Sequence, residues 1–162
     1  MNYIDDLTST IARATPVLLA IPAEVTSRRP APGKWSAREV LGHLVDSAAN
    51  NHQRFVRAQW QEALVFSGYD QEAWVRTQDY QNARWDGIVA LWAAYNTHIA
   101  HLMSTIPLPV RLREHQQHNL HEIAWRPIPV EIPATLDYFM ADYVAHMHHH
   151  LTHVGTLTGA AL

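Results

Sequence analysis

The chain of 162 residues contains no cysteine. It therefore cannot form a disulfide, offer a thiolate to a metal or use a cysteine nucleophile, and any thiol chemistry needs a thiol that a substrate brings. Lysine is almost absent as well, because Lys34 is the only one, and the formal net charge is −3. Since binding to phosphates requires clustered lysine and arginine, neither nucleic acid nor an anionic membrane is an expected partner.

Long apolar runs are also missing. The sequence has no stretch of about 18 uncharged apolar residues and no basic segment that leads into an apolar one. We therefore expect no membrane span, no signal peptide and a cytoplasmic location. With 48% hydrophobic residues, the length suits a single domain over residues 1–162 whose core needs no disulfide.

Helical periodicity is present in four segments, which predict an all-α fold. They cover residues 3–21, 37–59, 84–105 and 135–157. Pro16 predicts a kink or a restart within the first segment. Ser36 and Glu39 form the capping-box pattern that starts the second segment. Thr135 is expected to cap the fourth helix and Gly159 to end it.

The connections between these segments differ in length. A short helical turn is expected at 71–75 in the second connection. Residues 107–133 hold five prolines and no sustained periodicity, which predicts an irregular crossover with short strands such as 110–112 as an alternative. Four helices with one long connection favour a four-helix bundle.

The run HMHHHLTH, residues 146–153, contains five of the twelve histidines. Expression tags lie at termini, whereas this run lies inside the fourth helical segment. His146 and His150 are one helical turn apart, so they share the face that borders the bundle interior, and His153 continues it. Two histidines at this spacing can bind one metal ion, but the pair becomes specific only with a third ligand. His148 points elsewhere and is expected to be a surface residue.

The best candidate for the third ligand is His43, which lies on the apolar face of the second helix. The alternative is a core histidine that is merely hydrogen-bonded. Two other groups are weaker candidates. The first group is His98 and His101 on the third helix. The second is the crossover group, His115, His118 and His121. A solvated loop is expected for the crossover group, with a lid or an accessory metal ligand as the alternative.

Three segments carry motifs of a known family. PGKWSAREVLGHLVDS and DYVAHMHHHLTHV resemble the second-helix signature and the H-x-x-H-H-x-x-H pattern of the DinB/YfiT-like superfamily, with His149 as the second histidine of that pattern. GYDQEAWVRTQDY is similar to the YfiT branch, whereas HNLHEIAWRP departs from the histidine-proline loop of that branch. The resemblance implies a bundle of up-down-down-up topology, often dimeric, in which His43, His146 and His150 hold a divalent metal ion, zinc or nickel.

Three functions are compatible with such a site. Three neutral imidazoles leave zinc an open position, which is typical of catalytic sites and activates water or a thiol. The resemblance implies either a transferase for a low-molecular-weight thiol such as bacillithiol or mycothiol, which the YfiT-like linker favours, or a hydrolase that uses a metal-bound hydroxide. The third alternative is a bundle that binds metal without turnover, which a cavity blocked by Trp92 or Tyr143 would favour.

Two carboxylates are candidates for the catalytic site. Asp142 precedes His146 by one turn, and Asp46 follows His43 by three residues, so each is predicted to orient a ligand histidine. Asp46 is also a candidate acid or base. For both, a solvated surface carboxylate is the alternative.

Other polar residues near this predicted site each have two alternative roles. His153 is either a hydrogen-bond donor to the ligands or polar packing. Asn50 and Asn51 lie about two turns beyond His43 and are expected on the helix surface. The alternative is that either faces the same cavity as His43.

Overall fold

Helices are the main regular structure in the part of the chain that the structure describes. Over residues 2–162 of this computed structural model, the helices are α1 (Tyr3–Ala20), α2 (Ala23–Thr26), α3 (Ala37–Ala58), α4 (Gln71–Thr77), α5 (Trp85–Thr105), α6 (Leu108–Arg111), α7 (Leu120–Ile123) and α8 (Leu136–Thr158), with a 3-10 turn at Tyr80–Asn82. The four long helices α1, α3, α5 and α8 form a bundle. No helix within these residues is long and apolar enough to cross a membrane. The predicted all-α four-helix bundle is confirmed.

The predicted helix boundaries agree closely with the structure. Ser36 Oγ accepts the Glu39 N–H while the Glu39 carboxylate accepts the Ser36 N–H, so the capping box forms. Thr135 caps α8, and Gly159 ends it in the left-handed conformation with φ 76°. Of the two alternatives at Pro16, a kink or a restart, the restart is wrong, because α1 continues through Pro16 to Ala20. A proline removes only one helical hydrogen bond, and the buried face of α1 packs on the core on both sides of it.

Contacts at the start of α5 fix the direction of three helices. Trp85 Nε1 donates to the carbonyl oxygen of Leu18 at 2.7 Å, so the start of α5 meets the end of α1 and the two are antiparallel. Arg38 donates to the carbonyl oxygen of Ala83 at 3.1 Å, so α3 and α5 begin side by side and run parallel.

Contacts of α8 complete the topology. Tyr3 donates to Asp137 Oδ1 at 2.6 Å, so α1 and α8 begin together and run parallel. The Phe55 ring lies edge-on to the Phe139 ring at 5.5 Å, which brings the end of α3 to the start of α8. These two helices are therefore antiparallel, and the order along the chain is up, down, down, up.

The crossover between α5 and α8 is more ordered than its sequence predicts. It contains the single-turn helices α6 and α7, so the strand alternative at 110–112 is wrong. Pro109 lies in the first turn of α6, where a missing N–H breaks no helical hydrogen bond. Isolated bridges pair Leu64 with His118 and His115 with Ala134, which tie the crossover to the segment after α3 and to the start of α8.

Two crossover histidines are buried, so the expectation of a solvated loop is wrong for them. His115 is 2% and His118 4% exposed. His115 Nδ1 lies 2.8 Å from the carbonyl oxygen of Glu62, and His118 Nε2 lies 2.8 Å from that of Ile132. The expectation holds for His121, which is exposed.

Candidate metal centre

Three histidines converge between α3 and α8. His43 is fully buried, and His146 and His150 are half-buried. One ring nitrogen from each lies within 4.8 Å of those of the other two, and His43 Nε2 is 3.4 Å from His146 Nε2. The structure thus brings together the three residues that the sequence predicts as ligands. Their binding of a metal stays a prediction.

The spacing of these nitrogens fits a shared cation. Two nitrogens that each lie about 2.0–2.1 Å from a tetrahedral zinc ion are about 3.3–3.4 Å apart, which matches the separation of the His43 and His146 nitrogens. Nδ1 of His43 and Nδ1 of His150 are buried without a hydrogen-bond partner among residues 2–162. Because buried polar atoms are nearly always hydrogen-bonded, the protein alone does not satisfy this cluster.

The electrostatic environment keeps the three imidazoles in the form that binds metals. Burial, reinforced by the neighbouring histidines, lowers the pKa of His43, His146 and His150 to about 3. All three rings are therefore uncharged at neutral pH, and each has a lone pair to donate without losing a proton.

Two tryptophans flank the cluster. The Trp35 ring, just before the capping residue of α3, lies 5.3 Å from the His43 ring. The Trp125 ring, which follows α7, lies 6.4 Å from the ring of His146 and 5.3 Å from that of His149. The histidine rings thus pack against two indoles from separate segments, one before α3 and one after α7.

Asp142 fixes one of these tryptophans. Its Oδ2 accepts the backbone N–H of Trp125 and its Oδ1 that of Arg126, both at 2.9 Å. The predicted hydrogen bond to His146 is not among its contacts, because the end of the crossover takes both oxygens. Asp142 is also 5% exposed, so the solvated alternative is wrong. Burial raises the pKa of Asp142, although the two backbone N–H groups partly offset that effect.

Asp46 is 2% exposed, so the solvated alternative is wrong for it as well. Its Oδ1 accepts Gln78 Nε2 at 2.6 Å and the Tyr80 hydroxyl at 2.8 Å, while Oδ2 has no partner in the described part of the chain. Burial raises its pKa despite these two donors. Tyr80 reaches Asp46 because Gly42 has no side chain: a Cβ there would lie 2.3 Å from the tyrosine ring.

The remaining histidines lie outside the cluster, which is the one candidate metal group found within residues 2–162. His149 and His153 are exposed. His148, expected on the surface, pairs with Asp6 of α1 at 2.8 Å. The His98 ring lies 5.0 Å from the ring of His52, between α3 and α5.

A cavity of about 260 Å³ adjoins the cluster at His146. Tyr143 lines it but does not block it, since its hydroxyl is turned to Asn96 at 2.5 Å, and Trp92 is not in its wall. Asn51, expected on the helix surface, is buried and faces the cavity. Sequence reasoning missed Arg54 in the same wall. A signal existed, because residues eleven apart lie about 20° apart around a helix, so Arg54 shares the face of His43.

Up-down-down-up order and three clustered histidines beside a cavity define a helical bundle with a candidate metal centre. A sequence profile of the DinB superfamily matches residues 6–154, and the chain belongs to this superfamily. The resemblance that the motifs predict is therefore confirmed.

Two comparisons with YfiT from Bacillus subtilis agree with this placement. The YfiT sequence of strain 168, provisionally named a metal-dependent hydrolase, is 29% identical over 126 residues, which are 78% of this chain and 65% of YfiT. The chain thus matches less than two thirds of that relative's length. A solved structure of YfiT, described as a probable metal-dependent hydrolase with an unusual four-helix bundle topology, gives a TM-score of 0.77 at 24% identity, covering 97% of this chain and 84% of the other. This likeness shows the shared fold.

Proposed function

We propose that the protein is an enzyme that uses one divalent cation, zinc or nickel, held by His43, His146 and His150. The observation that carries this proposal is the convergence of three uncharged imidazoles from two helices beside a cavity. Imidazole suits both zinc and nickel, and the set contains no oxygen ligand of the kind that magnesium or calcium prefers. The description of YfiT as a metal-dependent hydrolase supports the same assignment.

The cation would supply an activated nucleophile. Held by three neutral imidazoles, a divalent ion keeps its full charge and lowers the pKa of a water molecule or thiol that reaches it. The protein's own groups have other tasks: Trp35 and Trp125 pack against the ligand rings, and the cavity at His146 admits a small substrate. Asp142 holds the Trp125 backbone in place, and a closer part in the reaction stays a prediction.

Asp46 is proposed as the positioning residue for His43. Asp46 and His43 are three residues apart on α3. Asp46 Oδ2 and His43 Nδ1 are both buried, and neither has a hydrogen-bond partner among residues 2–162. Helical residues at this spacing are neighbours. Ligand histidines commonly donate their second N–H to a carboxylate, which fixes the tautomer and makes the other nitrogen a better ligand. The two atoms are not bonded to each other in the structure, and we propose that a side-chain rotation pairs them when a cation takes His43 Nε2.

Hydrolysis is the reaction that we propose first. The description of YfiT favours it. The linker that suggests thiol transfer by resemblance has a structural task, because Gln78 and Tyr80 from it bond Asp46. Transfer to a low-molecular-weight thiol is the second candidate, since the chain has no cysteine that would compete with a thiol cosubstrate for the cation.

The test starts from untagged protein purified without chelator. We expect elemental analysis to find about one equivalent of zinc or nickel per chain. Small activated esters, supplied without thiol, then probe hydrolysis, while loss of N-acetylcysteine in the presence of monochlorobimane probes thiol transfer.

Each result selects one function. Ester turnover that tracks metal content and disappears in His43→Ala supports hydrolysis, and metal-dependent thiol loss without ester turnover supports transfer. Bound metal with neither activity indicates the non-catalytic bundle. Protein that neither contains nor takes up zinc or nickel contradicts the proposal as a whole.

A further inference from the structure

A buried arginine without a carboxylate partner lies in the wall of the cavity beside His146. Arg54 is 3% exposed. Its guanidinium donates to the carbonyl oxygen of Ser67 at 2.7 Å and to Asn51 Oδ1 at 3.3 Å, both neutral acceptors. Nε is buried and has no partner among residues 2–162, and the ion pairs of this part of the chain do not include Arg54. The positive charge is therefore left without a counter-ion.

An uncompensated buried charge is strongly unfavourable unless something else binds it. Burial accordingly lowers the pKa of Arg54 from its ordinary value. Holding Ser67 and Asn51 in place does not require a charged group. The next arginine on α3, Arg57, avoids the cost because it is exposed and lies over the Phe66 ring at 5.6 Å.

The groups around Arg54 suit an anion. Tyr69 lines the same cavity, and burial raises its pKa to about 12, so it offers a neutral hydroxyl. Of the acidic residues in the wall, Glu122 is exposed at the rim and Asp142 has both oxygens occupied by backbone N–H groups. The donors of Arg54 and Tyr69 are therefore not neutralised from within the cavity.

The size of the cavity limits the ligand to a small molecule. At about 30 Å³ per water molecule, about 260 Å³ holds roughly eight or nine waters, which is enough for a short organic acid or a phosphate ester. His43 and Arg54 are about 16 Å apart along α3, and the arginine shortens that distance because its side chain reaches back to Asn51. Arg54 and His146 line the same cavity, so one small molecule in it can face both.

We propose that Arg54 binds an anionic group, a carboxylate or a phosphate, and that the substrate is a small anion whose reacting end faces His146. A guanidinium suits this task because its planar fork bonds two oxygens of either group at once. The second half of the proposal rests on the proposed function, whereas anion binding by Arg54 requires no metal.

The test measures binding of inorganic phosphate and of succinate by calorimetry at constant ionic strength, with glycerol as the uncharged control. The protein is used both as purified and after dialysis against EDTA, because either anion can also coordinate a bound metal. Arg54→Gln removes the charge, Arg54→Lys keeps the charge but not the fork, and Arg57→Gln is the matched control on the same helix.

We expect binding of one anion class to weaken at least tenfold in Arg54→Gln, to weaken less in Arg54→Lys and to stay within twofold in Arg57→Gln. Which anion binds identifies a carboxylate or a phosphate substrate. Equal binding by the wild type and by folded Arg54→Gln overturns the proposal, as does the absence of binding of both anions. If Arg54→Gln fails to fold, Arg54→Lys at wild-type affinity overturns it. Arg54-dependent binding in a protein that takes up no metal supports the anion site and rejects the metal-dependent function.

Discussion

Two groups of histidines are buried in this protein, and their surroundings differ. In the crossover, the rings of His115 and His118 each lie 2.8 Å from a backbone carbonyl oxygen. Between α3 and α8, His43 and His146 face each other, and the buried Nδ1 of His150 has no partner among the described residues. The first group is hydrogen-bonded to the main chain, with Arg113 also donating to His115, whereas the second has ring nitrogens that lie within 4.8 Å of one another.

The backbone explains this difference. Inside a helix, each carbonyl oxygen already accepts the N–H four residues later, so few acceptors remain for a histidine on the interior face of α3 or α8. In an irregular segment, carbonyl oxygens lack such partners and bond side chains instead. Burial alone therefore does not distinguish a ligand histidine from a structural one; the element that carries it does.

The largest effect is expected from removing a member of the three-histidine cluster. His150→Ala should reduce bound zinc or nickel from about one equivalent to near zero, because two imidazoles bind an ion much less tightly than three. Circular dichroism should show unchanged helicity, since α8 keeps its other buried residues. His153→Ala, three residues along the same helix and exposed, is the control and should keep its metal. If His153→Ala loses its metal while His150→Ala keeps it, the proposed ligand set is wrong.

The next effect is a dependence of stability on pH in metal-free protein. Burial lowers the pKa of His43 to about 3, whereas the unfolded chain has the ordinary value of about 6.5. Between these values the unfolded state binds more protons, so the free energy of unfolding should fall as pH decreases from about 6.5 towards 3. The slope has an upper limit of about 1.4 kcal/mol per pH unit for each histidine that stays neutral.

Urea unfolding of EDTA-treated protein at pH 7, 6 and 5 measures this slope. His43→Leu removes one of the titrating rings and should give a shallower slope than the wild type. Equal slopes in the two proteins would show that His43 is not held neutral by its surroundings.

The third effect concerns the positioning of His43. Asp46→Asn should weaken metal binding about 10–100-fold, because an amide is a poorer acceptor for the His43 N–H. Asp46 also accepts Tyr80, so a general loss of structure has to be separated from a loss of positioning. Tyr80→Phe removes that hydrogen bond but keeps the carboxylate, and it should retain nearly full affinity. Equal losses in both variants would assign Asp46 a structural role only.

Much of this architecture could be predicted from local sequence signals. Ser36, Glu39 and Gly159 set helix ends through contacts within a few residues, so their patterns are readable along the chain. The three-histidine cluster was also predictable, because His146 and His150 share one face of α8 and His43 lies on the interior face of α3.

The missed features depend on contacts between distant segments. Asp142 bonds the backbone of Trp125 and Arg126, seventeen and sixteen residues earlier in the chain, and no pattern in α8 indicates where the crossover ends. Arg54 lies on the same helix face as His43, but its lack of a carboxylate partner becomes visible only when the neighbouring elements are in place. Periodicity therefore predicts which face is buried but not which groups on it remain unpaired.

The smallest effect should come from the crossover histidines, and it should be a loss of stability without a loss of metal. His118→Phe keeps an aromatic ring but removes the contact with the Ile132 carbonyl oxygen and the acceptor for the Leu120 N–H. Leaving such groups unsatisfied costs about 1–3 kcal/mol of unfolding free energy, which urea titration resolves. Metal content should be unchanged, because His118 is not in the cluster.

His121→Phe, exposed in the same segment, is the matched control and should alter neither stability nor metal content. Loss of metal in His118→Phe with little loss of stability would mean that the crossover group also supplies a ligand, and the distinction between the two groups of histidines would fail.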